Sequence, residues 1–425
     1  MRLWTLLLSL MLVCVSASAD SIREASPEKQ GMSGDRLSLV AKMSQRYVDE
    51  GKLAGVITMV NRGGRLIHNE TVGQRGADDK RPLENDHLFR IYSMTKPITA
   101  VAAMQLYEQG KFSLNDPVSK FVPELKDVKV RNKDGSLTAP KQRITMHHLL
   151  THTAGFSYGF DPTNEVDKLY QEAKLFEEED LTAFAKKLAG LPLLYEPGER
   201  WHYSVAVDVT GLVIERISGM SFNEYLQKHI FDPLEMTDTF FEVPEDKSDR
   251  FLPNHYWDRK TEELKTIPPS SGVFFADYSK VTLFSGGAGL VSTAHDYMWF
   301  AEMLRNGGRF NKQQILSPKT IKFMTKNHLP DNTTVAASGE QPLNRVFRGF
   351  GFGLGFGVIV DPVATRASGS EGTFMWGGAA GTIFWVDPEE DLVVIGMIQL
   401  LDSPWPLREE LRVLTYQAIM ESYED

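Results

Sequence analysis

Strand-like runs stand at both ends of this chain, and helical patterns fill the middle. Near the N-terminus, residues 55–60 (GVITMV) and 65–68 (RLIH) are apolar, β-branched runs around Gly63-Gly64, which is a hairpin signal. Near the C-terminus, residues 373–376, 382–386 and 392–398 are again β-rich, the last two separated by Asp387-Pro388-Glu389. Hairpin-joined runs imply antiparallel pairing. The simplest architecture is therefore an α/β fold of the α+β type, with one antiparallel sheet built from both termini and helices packed on it. Residues 20–105 and 281–425 are expected to form the α/β part of a single domain. Residues from about 106 to 280 are expected to form a mostly helical inserted subdomain, and a cleft between the two parts is the expected site.

The helical segments differ in kind. Residues 35–50 carry Leu37, Val40, Ala41 and Met43 near helical spacing. Residues 145–150, 181–189, 204–217 and 221–230 have helical patterns punctuated by prolines, and 406–420 is a closing helix. Residues 93–109 stand apart: beyond Pro97, Ile98, Ala100, Val101, Ala102, Ala103, Met104 and Leu106 leave hardly any polar face. Such a helix belongs inside the protein, not on its surface. Gly110 ends it.

Composition excludes several chemistries. Arg2, the short apolar run 3–15 and the small-residue site Ala17-Ser18-Ala19 before Asp20 predict a secretory signal peptide over residues 1–19, hence a periplasmic or secreted protein. Cys14 is the one cysteine, and Val13 before it is larger than a lipoprotein site favours. Once the signal is removed no cysteine remains, so disulfides, zinc–thiolate sites and cysteine nucleophiles are excluded. The net charge is −10 with both signs interspersed, and no basic footprint for nucleic acid is present. No stable membrane span is expected after signal cleavage. Oligomeric state is not encoded in these patterns.

Two serines compete as a nucleophile. Gly155-Phe156-Ser157-Tyr158-Gly159 matches the Gly-x-Ser-x-Gly of a nucleophile elbow, which requires a buried strand before the serine and a helix after it. Here a helix start precedes and the polar loop Asp161-Pro162-Thr163-Asn164 follows, so the glycines read as loop turns. The other serine is Ser93, in Ser93-Met94-Thr95-Lys96. Ser-x-x-Lys is a weak motif on its own and occurs twice, the other copy being Ser26–Lys29 in a polar stretch. Ser93, however, opens the buried helix. Residues i and i+3 share a helix face, so Lys96 can reach the Ser93 hydroxyl. Burial lowers the proton affinity of a lysine and would let it act as a base. The helix N-terminus offers N–H groups to a developing oxyanion. The plainer alternative is a helix-capping serine beside a surface lysine.

Five segments in order carry a resemblance: SMTKPITA, LLTHTAGF, YEPGERWHYSVAVDVTGLVIERISG, FSGGAGLVSTAHDYMWFAEMLRNGG and WGGAAGTIFWVDPEEDLVVIGMIQ. From about residue 25 to 420 the chain resembles the serine β-lactamase-like superfamily, and within it the class C β-lactamase-related carboxylesterases (family VIII). The resemblance implies Ser93 as the acylated nucleophile, Lys96 as its base partner and Tyr203 as a proton shuttle. It also implies that Trp376-Gly377-Gly378 borders the site, and that the N–H groups of Ser93 and Ala379 form the oxyanion hole. Two departures from the β-lactamases matter. Val205 and Trp376 stand where an Asn and a Lys are expected, which removes an amide and a positive charge and favours neutral acyl groups. Packing beside Trp201 for Tyr203, and a plain sheet aromatic for Trp376, are the structural alternatives. His148 and His152 have a metal-like spacing but lack the Glu of H-E-x-x-H, and the same segment resembles a structural element of the superfamily.

The expected function is hydrolysis of small-molecule carboxylic esters through an acyl-Ser93 intermediate, with neither cofactor nor metal. A β-lactamase, a D-amino-acid peptidase or a transacylase could use the same site. A catalytically inactive binding protein is the alternative of another class, opposed by the intact Ser93, Lys96 and Tyr203.

Overall fold

The computed structural model describes residues 22–269, 278–338 and 347–423. The expected signal peptide, residues 1–19, lies outside the described residues. A seven-stranded antiparallel sheet organises the molecule. Its strands are β1 (Gly55–Arg62), β2 (Arg65–Gly73), β3 (Phe350–Phe352), β4 (Gly357–Ile359), β5 (Phe374–Gly377), β6 (Ile383–Asp387) and β7 (Leu392–Met397). The spatial order is β3-β4-β5-β6-β7-β1-β2, so the N-terminal hairpin completes a sheet begun by the C-terminal strands. Ile57 pairs with Met397 and Arg62 with Leu392 across that junction. Gly63 and Gly64, at φ 59° and 70°, form the tight turn between β1 and β2.

The sheet is covered on both faces, which explains why its strands are apolar runs rather than alternating ones. Along β7, Val393, Ile395 and Met397 point into the larger core, while Leu392 and Val394 point into a smaller one. Helices α1 (Gly34–Asp49) and α6 (Leu407–Tyr416) pack together over the smaller core. Ser33 caps α1, and Leu37, Val40 and Met43 form its inner face. The other face carries α5 (Ala294–Arg305), which rests on β6 and β7. Behind it the larger core contains α2 (Thr95–Glu108), buried along nearly its whole length, together with α3 (Leu181–Leu188) and α4 (Ala206–Ser218). Among the described residues no helix is long and apolar enough to cross a membrane.

Some local expectations shift. The helix predicted over 93–109 begins at Thr95, and Ser93 sits in a preceding 3₁₀ turn, Tyr92–Met94. The helix predicted over 221–230 is regular only over Phe222–Leu226 and then widens into a π-turn, Gln227–Phe231. The middle region also contains a hairpin, Asn254–Asp258 with Glu263–Ile267, and a helix, Glu165–Ala173, that its polar composition concealed.

Candidate active site

The turn that carries Ser93 is braced on several sides. Phe89–Arg90 pairs with Val291–Ser292, and the Ile91 N–H donates to the Leu290 carbonyl. Tyr297 of α5 donates its hydroxyl proton to the Met94 carbonyl at 2.9 Å. Tyr92, the residue before Ser93, has φ 44°, a left-handed conformation that a β-carbon disfavours. Its buried ring holds it there, and Asn254 donates to its hydroxyl at 2.6 Å. Ser93 is left half-buried at the N-terminal end of α2.

Lys96 lies one turn on and is fully buried. Its Nζ donates to Ser93 Oγ at 3.3 Å and to the Gly287 carbonyl at 2.7 Å. Aromatic faces close the rest of its surroundings, with Nζ 4.5 Å from the Tyr203 ring centre and 5.2 Å from that of Tyr158. Burial pushes the Lys96 pKa down to about 7, against the opposing pull of Asp208. A lysine titrating there presents a large neutral fraction at neutral pH and can accept the proton of the adjacent hydroxyl.

Tyr203 precedes α4 and completes the cluster. Its ring packs against Trp201 (5.9 Å between centres), Trp376 (5.5 Å) and His152 (4.8 Å). Burial holds its hydroxyl pKa well above the ordinary value, while Ser93 and Trp376 favour the phenolate. The Trp376 indole N–H lies near that hydroxyl but makes no hydrogen bond of regular geometry, and so stays unpartnered. Trp376 also stacks on Phe347 at 5.1 Å and meets Phe352 edge-on at 5.3 Å.

Asp208, Tyr158 and Gly287 belong to the same cluster and escaped sequence reasoning. Asp208 is fully buried, accepting from Ser285 Oγ at 2.5 Å and from the Gly287 N–H at 3.0 Å. The Gly287 peptides thus link Asp208 on one side to Lys96 on the other. Gly287 has no room for a side chain: a β-carbon there would lie 2.6 Å from both Asp208 Oδ2 and the Tyr158 hydroxyl. The available signal was the lone acid in the otherwise apolar stretch Ala206-Val207-Asp208-Val209, which also reads as an ordinary acidic residue at a helix start.

Trp376 and Gly377 end β5, and Gly378 opens the turn to β6. A β-carbon on Gly378 would lie 2.4 Å from the Ile91 carbonyl oxygen, so glycine lets this turn rest against the strand leading to Ser93. Ala379, next in the turn, is exposed. Among the described residues the N–H groups of Ser93 and Ala379 donate to no acceptor. Both are free to receive a ligand oxygen.

The Gly-x-Ser-x-Gly serine is in a different situation. Ser157 is buried, donates to Asp167 Oδ1 at 2.5 Å and accepts from the Gly159 N–H at 3.0 Å. His202 Nε2 lies 3.4 Å from its Oγ. Serine, histidine and aspartate are all present, but the carboxylate holds the serine rather than orienting the histidine, the reverse of a triad. The residues leading into Ser157 form a loop rather than a strand, and Gly155 and Gly159 have φ 85° and 78° as loop turns do. The two spaced histidines hold backbone: His148 Nδ1 accepts from the Thr145 N–H and His152 Nδ1 from the Ser204 N–H.

The family model described as Beta-lactamase matches residues 40–417. The chain belongs to the β-lactamase family. It is 35% identical to an uncharacterized protein of Mycobacterium tuberculosis, over 83% of this chain and 87% of that one. It is 31% identical to the esterase EstB of Burkholderia gladioli, over 87% of this chain and 93% of EstB. Among solved structures, EstCE1, described as a hydrolase with promiscuous acyltransferase activity, superposes with a TM-score of 0.76 at 26% identity, over 91% of this chain and 99% of its own. The resemblance read from five sequence segments, to the carboxylesterase side of this β-lactamase-like superfamily, is borne out, and so is the fold class.

Proposed function

We propose that this protein is an exported serine hydrolase that cleaves small carboxylic esters through an acyl-Ser93 intermediate. The observation that carries the reading is the buried Lys96 amine 3.3 Å from a half-exposed Ser93 hydroxyl. Neutral Lys96 takes the Ser93 proton as Oγ bonds to the ester carbonyl carbon. The carbonyl oxygen becomes an oxyanion held by the Ser93 and Ala379 N–H groups at the positive end of α2. The carbon–oxygen ester bond then breaks. Tyr203, protonated at neutral pH, gives its proton to the departing alkoxide and recovers one from Lys96. Water attacks the acyl-enzyme by the reverse path, which restores Ser93.

Trp376 supports an ester over a β-lactam. An indole offers one N–H and an apolar face, and a β-lactam carboxylate desolvated there would lack a cationic partner. A second outcome, transfer of the acyl group to an alcohol, is supported by the packed aromatic cluster of Trp201, Tyr203, Phe347 and Trp376, which gives the surroundings of Tyr203 an apolar character. The likeness to EstCE1 points the same way. Export rests on the N-terminal sequence alone. The test is fluorophosphonate labelling followed by peptide mass analysis, with p-nitrophenyl esters of rising chain length compared against a chromogenic cephalosporin. The adduct is expected on Ser93 and the esters are expected to be the better substrates. An adduct elsewhere, or preference for the cephalosporin, overturns the reading.

A further inference from the structure

A cation holds the turn after Trp376 from behind. Arg408, near the start of α6, donates from Nη2 to the carbonyls of Gly378 (2.5 Å) and Thr382 (2.9 Å), and its Nε faces the Gly381 carbonyl at 3.5 Å. Side chains alternate along a strand. Trp376 meets Tyr203 on the side of the reacting cluster, so the Gly377 position looks the other way. A β-carbon on Gly377 would lie 3.0 Å from Arg408 Cζ. The guanidinium therefore lies on the side of the strand away from Tyr203, where it and the Thr382 carbonyl, each 3.0 Å from such a β-carbon, would crowd any side chain at position 377.

Arg408 is in an unfavourable place for a charge. Burial works against its protonated form, and the favourable pull on it comes from its chain neighbour Glu409. Among the described residues it makes no ion pair, and backbone carbonyls take the place of a carboxylate. A half-buried cation without a carboxylate partner still loses part of its hydration, and other groups must replace it. The groups that do so here belong to one short turn.

The Gly378 carbonyl and the Ala379 N–H are two ends of one planar trans peptide and point in opposite directions. Clamping the oxygen from behind fixes the plane and turns the N–H to the opposite side. Gly378 also packs against Ile91, two residues before Ser93, which brings this peptide up to the turn that carries the nucleophile. A charge-assisted bond to the carbonyl also polarises the amide and makes its N–H a stronger donor.

We propose that Arg408 is a positioning residue of the oxyanion hole: it clamps the Gly378–Ala379 peptide from the side opposite Tyr203, so that the Ala379 N–H is aimed and polarised toward the oxygen of the tetrahedral intermediate. This rests on the acyl-Ser93 reading above. The test compares Arg408→Met and Arg408→Lys with wild type in kcat and KM for p-nitrophenyl butyrate and in Ki for phenylboronic acid, whose serine adduct mimics the intermediate.

In Arg408→Met, kcat is expected to fall about 10- to 100-fold, on the scale of a weakened oxyanion donor. KM should stay within about 3-fold, and boronic acid affinity should fall by the same factor as kcat, because the clamp acts on the intermediate and not on the bound ester. Arg408→Lys keeps the charge but loses the planar fork, and should recover part of both losses. A purely structural role would raise KM and Ki together, and that result overturns the proposal. So does wild-type kcat and Ki in folded Arg408→Met, or in Arg408→Lys where the methionine variant does not fold. Ser93→Ala in the same assay separates the two readings. Turnover that survives it overturns the acyl-Ser93 reading and the clamp together, whereas its loss beside unchanged Arg408 variants overturns the clamp alone.

Discussion

Ser93 and Ser157 are a natural experiment within one chain. Each follows a short motif associated with hydrolysis, and each has a basic side chain nearby: Lys96 Nζ at 3.3 Å and His202 Nε2 at 3.4 Å. The difference lies in what else the hydroxyl touches. Ser157 gives its proton to a buried carboxylate and is sealed from solvent. Ser93 keeps part of its surface open, beside an amine that burial has driven toward neutrality. A nucleophile needs an unoccupied proton acceptor and an open approach, and a motif encodes neither.

The comparison can be broken most sharply at Ser93 itself. Ser93→Ala is expected to lower ester kcat by about 10⁴-fold or more, the scale for removing a nucleophile. Substantial p-nitrophenyl ester turnover in that variant would move the chemistry elsewhere. Next in size is Lys96. Lys96→Ala should lower kcat by about 10²-fold or more, and Lys96→Arg should not restore it because arginine stays protonated. In the wild type, kcat/KM should rise with pH through about 7 as Lys96 loses its proton. A profile flat between pH 6 and 8 would contradict a titrating base.

Three smaller effects sharpen the contrast. Trp376→Ala removes an apolar wall while leaving Ser93 and Lys96 in place, and should lower ester kcat/KM by about 1–3 kcal/mol, the scale of lost apolar burial. An unchanged kcat/KM would take Trp376 out of substrate recognition. Asp208→Asn removes a charge that raises the Lys96 pKa, so the ascending limb of the kcat/KM profile should move to lower pH. A limb that stays put or moves up would show that Asp208 does not act on Lys96 through its charge. Smallest of all is Ser157→Ala, whose turnover should stay within a few-fold of wild type. Its cost falls on stability, about 1–3 kcal/mol for leaving Oδ1 of the buried Asp167 carboxylate without its donor, measurable by urea unfolding.

The legible parts of the molecule were those written locally. β1, β2, β5, β6 and β7 were visible as apolar β-branched runs, and the glycine pair between β1 and β2 as a turn. Ser93 and Lys96 share a helical repeat, so their proximity follows from spacing. Tyr203, Trp376 and Ala379 came only from the resemblance, because no local rule brings them to Ser93. Asp208, Tyr158 and Gly287 stayed hidden: their importance comes from contacts between segments far apart in sequence, and a buried acid near a helix start looks like any other. The hairpin Asn254–Asp258 with Glu263–Ile267 was missed because its strands are half-exposed and charged, which weakens the alternation that marks a strand. Arg408 gave no signal at all, since an arginine early in an amphipathic helix is ordinary until its carbonyl partners are known.

The pairing of β1 with β7 has a consequence for the order of events during synthesis. Ile57 leaves the ribosome early and its partner Met397 almost last. Until then the Gly55–Arg62 strand has one side paired in its hairpin and the other side open, a bare edge able to dock on neighbouring chains. Contacts of such long sequence separation also slow folding. A product truncated between Lys96 and Leu392 would keep Ser93 and Lys96 yet lack the strand that closes the sheet, and it should accumulate as aggregate rather than as a weakened enzyme.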